Sequence, residues 1–227
     1  MTSRPITVLL ADGVAGRLGE FRRVLEHESD IEPVAVVENG VEAVSRAHAI
    51  RPDAVLADLR LPKLDGIATT RTIATTPGLE HVRVLVLAPD AGDIFAYGAL
   101  QAGASGFLLH ECAPVELTSA IRAAVAEDEL PAPDLTCGLV ARLTAADSGT
   151  AADEERLAAL TGRDREIVTL VGNGLRDTEI ADRLDLHTSA VRILVSQVMS
   201  IVRARVRAQL VIFAYRSGLV IPRPNVT

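Results

Sequence analysis

The chain has 227 residues, of which 48% are apolar, and its formal net charge is −7 at pH 7. This length is enough for one large domain or two small ones, and no apolar run approaches the roughly 20 residues that a membrane helix needs. The N-terminus also lacks the basic-then-apolar pattern of a signal peptide. We therefore expect a soluble, cytoplasmic protein with no membrane partner.

The charge is divided unevenly along the chain. Residues 157–227 contain 10 Arg against 6 acidic residues, whereas residues 1–156 contain 13 basic and 24 acidic residues. This asymmetry predicts that only the C-terminal part meets a polyanion such as DNA. An ordinary solvated surface is the alternative interpretation.

Residues 1–127 alternate between short apolar runs and segments of helical period. The runs predict strands at Ile6–Ala11, Pro33–Val37, Ala54–Ala57, Val82–Leu87 and Gly106–Leu109. The other segments predict helices at Ala15–Glu28, Val41–Ile50, Ile67–Thr75, Ile94–Ala102 and Pro114–Ala126. Strands that alternate with helices of this length form βαβ units around a parallel sheet. The pattern predicts a five-stranded, doubly wound α/β domain.

Two acidic residues follow strands of this predicted sheet. Asp12 comes after the first strand, and Asp58 ends the third within the segment Asp53–Gly66. The carboxyl ends of parallel strands are where open α/β sheets place their sites. Such oxygen ligands suit Mg²⁺ and would present Asp58 to a phosphoryl group, although two solvated loop carboxylates are the alternative. Neither residue has an accompanying nucleophile or Gly-rich phosphate loop, so an enzyme is not predicted.

Three stretches carry a resemblance to a known family: Val8–Asp12, Pro52–Gly66 and Ala102–Leu109. Residues 6–126 resemble the receiver domain of two-component response regulators, which has a flavodoxin-like fold. The resemblance implies that Asp58 takes a phosphoryl group from a histidine kinase and that an acidic pair after the first strand binds Mg²⁺. It also implies a Ser or Thr after the fourth strand and a Lys after the fifth, both in contact with the phosphoryl group.

This sequence keeps only part of that set. Asp12 matches the first acidic residue, but the other three positions are altered, to Gly13, Ala88 and His110. Fewer anionic oxygens weaken Mg²⁺ binding, no hydroxyl remains to follow the phosphoryl group, and a mostly neutral His replaces the Lys poorly. We therefore interpret the receiver as degenerate and independent of phosphorylation, with no cofactor required and only weak Mg²⁺ binding at Asp12 and Asp58. A conventional response regulator, phosphorylated on Asp58 by a histidine kinase, is the alternative.

A receiver that works without phosphorylation needs another input or none. Gly13 and Ala88 leave room in the cleft beside Asp12 and His110. A small molecule that binds there is one candidate input, although no residue identifies it.

Residues 128–156 are predicted to connect two domains. The segment Glu127–Pro133 breaks the preceding helix with a charge cluster and two prolines. Leu135–Leu143 is apolar enough for one short helix, and the small polar residues of Thr144–Asp153 are typical of a linker.

Residues 157–222 contain four predicted helices. They lie at Gly162–Val171, at Thr178–Leu184, in a longer segment that ends at about Arg203, and at Val206–Ser217. The predicted caps of the first three helices are Thr161, Asp177, and Thr188 or Ser189. A short helix, a three-residue turn and a longer helix form a helix-turn-helix unit. An ordinary four-helix bundle fits this pattern equally well.

The residue identities favour the helix-turn-helix. Leu160–Leu175, Glu179–Leu184, Val191 and Arg207–Gln209 resemble the LuxR/NarL-type DNA-binding domain. Together with the receiver, the resemblance to a NarL/LuxR (FixJ) type response regulator covers nearly the whole chain. It implies a sequence-specific transcription regulator that binds double-stranded DNA, and we expect a homodimer on paired half-sites.

The resemblance places the third helix of this domain in the major groove. The side chains that would face base edges are Arg192, Ile193 and Ser196. Those placed near backbone phosphates are Thr178, Thr188, Ser189 and Gln197. Arg can pair with guanine and an apolar side chain can contact the thymine methyl group, whereas phosphate contacts only position the protein.

This helix departs from the family pattern at three positions. Leu194 stands at a usual His, Ile201 at a usual Lys and Arg203 at a usual Gly. The helix is therefore more apolar than is typical. A regulator that does not bind DNA, and whose helix contacts another protein through Ile193, Leu194 and Ile201, is the alternative of a different class.

Overall fold

The computed structural model of the chain describes residues 4–92, 94–144 and 149–221, without the side chain of Ala15. The chain divides into two compact units, Met1–Ala126 and Glu127–Thr227. Residues 145–148 of the predicted linker and the predicted domain end at Pro222 lie outside the described residues. In the described part of the chain, no helix has the length and apolar character needed to cross a membrane.

The first unit is the predicted doubly wound α/β fold. Its strands are β1 (Ile6–Ala11), β2 (Ile31–Val37), β3 (Ala54–Asp58), β4 (Arg83–Ala88) and β5 (Gly106–Leu109). Its helices are α1 (Ala15–Glu26), α2 (Gly40–Ile50), α3 (Gly66–Thr75), α4 (Ile94–Ala102) and α5 (Pro114–Ala126). All strand pairs are parallel, in the order β2-β1-β3-β4-β5. The central strands are buried because helices cover both faces of the sheet.

The edge strand β2 begins two residues earlier than predicted. Ile31 and Glu32 pair with the start of β1, and the register shifts once Pro33 has paired with Val8. Pro33 has no N–H group for the ladder, which is tolerated on an edge strand. The apolar pattern marked only the part of the strand after this proline.

The strand order brings the ends of β1 and β3 together. Ala11 lies opposite Ala57 in the parallel register, so the next residue of each strand, Asp12 and Asp58, emerges at the same edge. This edge lies where the strand order reverses around β1, the place where open α/β sheets bind ligands. The topology therefore produces the predicted pair of carboxylates.

The second unit is helical. Its helices are α6 (Pro133–Thr144), α7 (Ala151–Ala159), α8 (Gly162–Gly172), α9 (Asp177–Leu184), α10 (Thr188–Val202) and α11 (Arg207–Arg216). The last four correspond to the four predicted helices. Helix α7 occupies part of the stretch predicted to be an unpatterned linker. Its capping box joins Thr150 to Asp153, and Oδ2 of Asp153 also lies 2.9 Å from Nη2 of Arg216 in an ion pair.

Two of the predicted helix caps were wrong. Asp177 is the first residue of α9, whose N-cap is Arg176, because the Asp177 side chain binds Arg207 instead of a helix N–H group. Helix α10 is capped by His187, whose Nδ1 accepts from the Ser189 N–H, rather than by Thr188 or Ser189. The predicted cap at Thr161 is confirmed by its capping box with Asp164.

Candidate functional site

The first candidate site is the pair of carboxylates at the sheet edge. Asp12 is 1% exposed and Asp58 is 2% exposed. Asp12 Oδ1 accepts from the Val14 N–H at 2.8 Å, and Asp58 Oδ1 accepts from the Arg60 N–H at 2.6 Å. Each carboxylate thus binds the backbone two residues further along, which fixes its orientation. Burying two negative charges side by side requires a compensating cation.

Arg17, one turn into α1, supplies that cation. Its Nε and Nη2 atoms both donate to Asp12, with Nη2 at 2.9 Å from Oδ1. The same Nη2 donates to Asp58 Oδ2 at 2.8 Å. The hydrogen bond to Asp12 raises the pKa of Arg17, and the charges of both carboxylates add to this against the opposing effect of burial. The guanidinium therefore bridges the two carboxylates as a permanent positive charge.

His110 completes the cluster from the end of β5. Its Nε2 lies 2.6 Å from Asp58 Oδ2, without the alignment of a hydrogen bond. Its Nδ1 lies 3.2 Å from Nη1 of Arg17. Arg can only donate, so Nδ1 is the acceptor and the proton of a neutral ring lies on Nε2, facing Asp58.

The other altered positions provide no polar side chain. Ala88 is completely buried at the end of β4, and its carbonyl oxygen accepts from the His110 N–H at 3.0 Å. Gly13 is exposed, and a Cβ atom placed there would lie 3.0 Å from Cδ of Pro62. The structure thus brings Asp12, Asp58 and His110 together, and Ala88 lies beside His110 on the neighbouring strand.

Arg17 is the member of the cluster that the sequence analysis missed. The resemblance assigns no role to this position, and one Arg among several in an amphipathic helix is not distinctive. The available signal was a cation in the first turns of the helix that follows Asp12, five residues along the chain. Only the packing of α1 beside β1 directs that cation at the carboxylates.

The donor set does not fit Mg²⁺. The Asp12 carboxylate is bound by Arg17 and by a backbone N–H group, and Asp58 is bound by Arg17 and the Arg60 N–H. Gly13 adds no ligand, whereas Mg²⁺ requires octahedral oxygen ligands. Within the described residues, no group of three or more His, Cys, Asp or Glu side chains could hold a metal ion. The Arg17 side chain also lies in the cleft in which a small-molecule input was predicted.

The second candidate site is the exposed face of α10. Its buried side chains are Val191, Val195, Val198 and Val202, at the 4-3-4 spacing of one helix face. This face packs against α8 and α9. The opposite face is exposed and carries the predicted base-reading residues Arg192, Ile193 and Ser196, together with Gln197. Ile193 is 59% exposed, so its apolar side chain lies on the surface of this helix face.

The residues predicted to contact phosphates lie on α9 and α10. Thr178 is exposed in the first turn of α9, and Thr188 and Ser189 begin α10, half-buried and exposed respectively. The hydroxyl of Ser189 lies 2.8 Å from Nδ1 of His187. The start of the helix is therefore held by a local polar contact.

The three departures from the family pattern have different environments. Leu194 is half-buried, whereas Ile201 is 38% exposed. Arg203 follows α10 with φ of 57°, the left-handed conformation in which Gly is favoured.

A buried ion pair between Arg207 and Asp177 lies next to this candidate site. Nη1 of Arg207 donates to Asp177 Oδ1 at 2.8 Å, and Nη2 donates to the Leu175 carbonyl oxygen at 2.8 Å. Both side chains are almost completely buried. The pair joins the start of α9 to the start of α11 and so fixes these two helices relative to each other.

Two family models match the chain. Residues 8–122, half of the chain, match the response regulator receiver domain. Residues 158–214 match the bacterial regulatory proteins of the luxR family. The chain belongs to the LuxR-type response regulators. It is therefore a DNA-binding transcription regulator with a receiver domain, as the sequence predicted.

Relatives match along most of the chain. The uncharacterized transcriptional regulatory protein YxjL of Bacillus subtilis is 28% identical over 97% of this chain and 100% of its own length. The response regulator protein VraR of Staphylococcus aureus is 29% identical over 86% of this chain and 90% of its own. A solved structure of a LuxR-family two-component response regulator from Aurantimonas sp. SI85-9A1 is 30% identical with a TM-score of 0.55, covering 62% of this chain and 99% of that one.

Proposed function

We propose that this response regulator is a cytoplasmic homodimer that recognises specific DNA sequences and works without phosphorylation of Asp58. The observation that carries the proposal is the position of the Arg17 guanidinium between Asp12 and Asp58. It supplies from within the chain the positive charge that a bound cation provides to such a carboxylate pair.

The contacts of Asp58 support the proposal that it is not phosphorylated. Oδ2 accepts from Arg17 at 2.8 Å and lies 2.6 Å from Nε2 of His110, while Oδ1 accepts from the Arg60 N–H. Both oxygen atoms are therefore held, and the side chain is 2% exposed. Attack by Oδ1 would require loss of its hydrogen bond from the Arg60 N–H, and attack by Oδ2 would require displacement of Arg17. That displacement would leave the buried Asp12 without its cation.

The residues at the ends of β4 and β5 are poorly suited to contact a phosphoryl group on Asp58. Ala88 has no hydroxyl group to follow it, and it is completely buried at the end of β4. His110 already interacts with both Arg17 and Asp58. A phosphoryl group on Asp58 would therefore have to compete with these contacts.

DNA recognition in this proposal uses α10. Arg192 would pair with a base edge, Ile193 would contact a thymine methyl group, and Ser196 would form a further base contact. Thr178, Thr188, Ser189 and Gln197 would position the helix on the phosphates. In the alternative of a protein-binding helix, Leu194 contributes less than predicted because it is half-buried.

The receiver is tested by intact mass and by size-exclusion chromatography after treatment with acetyl phosphate, or with beryllofluoride, in the presence of Mg²⁺. We expect no adduct and no change in oligomeric state for the wild type. Arg17→Ala opens the pocket and should gain Mg²⁺-dependent labelling of Asp58. Arg22→Ala removes a cation of the same helix that pairs with the exposed Glu26, away from the pocket, and it should behave as the wild type.

A stoichiometric adduct on the wild type that disappears in Asp58→Asn would overturn the proposal in favour of a conventional, kinase-driven regulator.

DNA recognition is tested by selecting bound duplexes from a random pool with the full chain. An enriched motif that weakens in Arg192→Ala, but not in Arg163→Ala on α8, supports base reading by α10. No enrichment would favour the protein-interaction alternative.

A further inference from the structure

The segment that precedes α6 is fixed to the helical unit beside the DNA-recognition helices. The carbonyl oxygen of Asp128 accepts from the Asp177 N–H at 2.9 Å. Leu130 is 2% exposed, and the Pro131 carbonyl oxygen accepts from the Thr136 hydroxyl at 3.2 Å. The backbone around Asp128 is therefore held at the start of α9, although its side chain reaches the surface.

The Asp128 carboxylate lies against the predicted base-reading arginine. Its Oδ2 is 3.6 Å from Nη2 of Arg192, and Nε of Arg192 is 4.0 Å from Oδ2 of Asp177. That Asp177 oxygen is buried and has no hydrogen-bond partner in the described structure. Arg192 thus faces two carboxylates, one of which has an unsatisfied oxygen pointing toward it.

Arg192 supplies all of the formal charge on α10. It is the only charged residue among the fifteen of Thr188–Val202. Next to Asp128, Glu129 Oε2 also lies 3.7 Å from Nε of Arg176, which precedes α9. Two consecutive acidic residues therefore face two arginines on the surface that the proposal assigns to DNA.

We propose that Asp128 is an intramolecular competitor of DNA for Arg192. This inference rests on the proposed DNA contact of Arg192, and it assigns to Asp128 a role in setting the affinity for DNA. The Asp128 carboxylate holds the Arg192 guanidinium, and it repels the phosphates that approach α10. The contact is half-exposed, so DNA can replace it, and its strength falls with salt. Asp128 follows the last residue of α5 by two positions, so it lies close to the receiver along the chain.

The test measures binding of a fluorescent duplex, selected with the wild-type chain, by anisotropy. In about 50 mM salt we expect Asp128→Asn to bind the duplex roughly three- to tenfold more tightly, the range of a surface ion pair combined with the loss of phosphate repulsion. The part of this gain that comes from release of Arg192 should disappear when Arg192→Ala is combined with it, because the two residues are coupled. Asp134→Asn removes the same charge from the exposed first turn of α6 and should change affinity less than about twofold.

The outcomes separate this inference from the proposed function. Asp128→Asn that binds no more tightly than Asp134→Asn, or that gains the same factor in the Arg192→Ala background, overturns the role of Asp128 alone. A wild-type chain that enriches no duplex overturns both. Tighter binding that depends on Arg192 supports the competition.

Discussion

Nη2 of Arg17 lies 2.8 Å from Oδ2 of Asp58, and the same guanidinium binds Asp12 with two of its nitrogen atoms. A single guanidinium from α1 is therefore shared by both carboxylates of the receiver pocket and offsets one of their two negative charges. Because the guanidinium cannot lose its charge at any ordinary pH, this pairing is permanent as long as α1 is folded. In the proposed function, Arg17 takes the place of an external cation in this pocket.

Removing Arg17 should make the receiver dependent on Mg²⁺. In Arg17→Ala two buried carboxylates lose their partner, and we expect the free energy of unfolding to fall by about 2–3 kcal/mol, somewhat less than for a fully buried pair. Mg²⁺ at millimolar concentration should restore part of the thermal stability of the variant, because a ligand that binds only the folded state stabilises it. Calorimetry with and without Mg²⁺ measures both effects.

The wild type and Arg22→Ala are the controls for this prediction. Neither should gain thermal stability from Mg²⁺ beyond a general salt effect. An equal gain in the wild type would show that the pocket binds the cation in spite of Arg17, contrary to the proposed function.

Gly66 is required by the loop that follows Asp58. A Cβ atom at this position would lie 2.5 Å from the Asp58 carbonyl oxygen and 2.7 Å from Cα of Leu59. Since both contacts are with backbone atoms, Gly66→Ala must move the end of β3, and we expect a loss of about 1–3 kcal/mol in denaturant unfolding. Gly19 in α1 has no atom within 4 Å of its Cβ position. Gly19→Ala should instead stabilise by about 0.5–1 kcal/mol.

The stability of the first unit should depend on pH through Asp53. Its Oδ2 accepts from the Thr7 N–H and hydroxyl at 2.8 and 2.7 Å. Burial alone would raise the pKa of Asp53, but these hydrogen bonds and the charges of Arg4 and His81 outweigh it and hold the pKa below its usual value. The ionised form therefore stabilises the fold above pH about 4, and this contribution is lost as the pH falls through the lowered pKa.

Asp53→Asn should accordingly destabilise the protein by about 1 kcal/mol at pH 7. The difference from the wild type should shrink as the pH is lowered below about 4, which urea unfolding at a series of pH values would measure. Thr7→Val removes one of the two donors and should show a smaller change of the same sign. A difference that grows on acidification would contradict the assignment.

Arg203 should cost stability at the end of α10. It adopts φ of 57°, which is strained for a residue with a side chain. Arg203→Gly is expected to stabilise the second unit by about 0.5–1 kcal/mol, measured by thermal unfolding. Arg205, two residues further on, is outside this conformation, so Arg205→Gly should leave stability unchanged or lower it.

Much of the architecture was predictable because it depends on local patterns. Buried parallel strands read as short apolar runs, and the helices between them have their own period. The register of β1 and β3 then follows from topology, so Asp12 and Asp58 were correctly expected at one edge. Helix α7 was not predicted, because its residues are small and polar and its anchor, the contact of Asp153 with Arg216, joins positions 63 residues apart.

The sequence by itself determined the fold class, the family and the positions of Gly13, Ala88 and His110, since each of these depends on residue identity and spacing. Only the tertiary structure decided which cation meets each carboxylate. Arg17 reaches Asp58 across 41 residues, and Asp128 lies beside Arg192 across 64. Neither pairing leaves a periodic signal, because a long cationic side chain can reach many acidic partners and the packing of helices selects one of them.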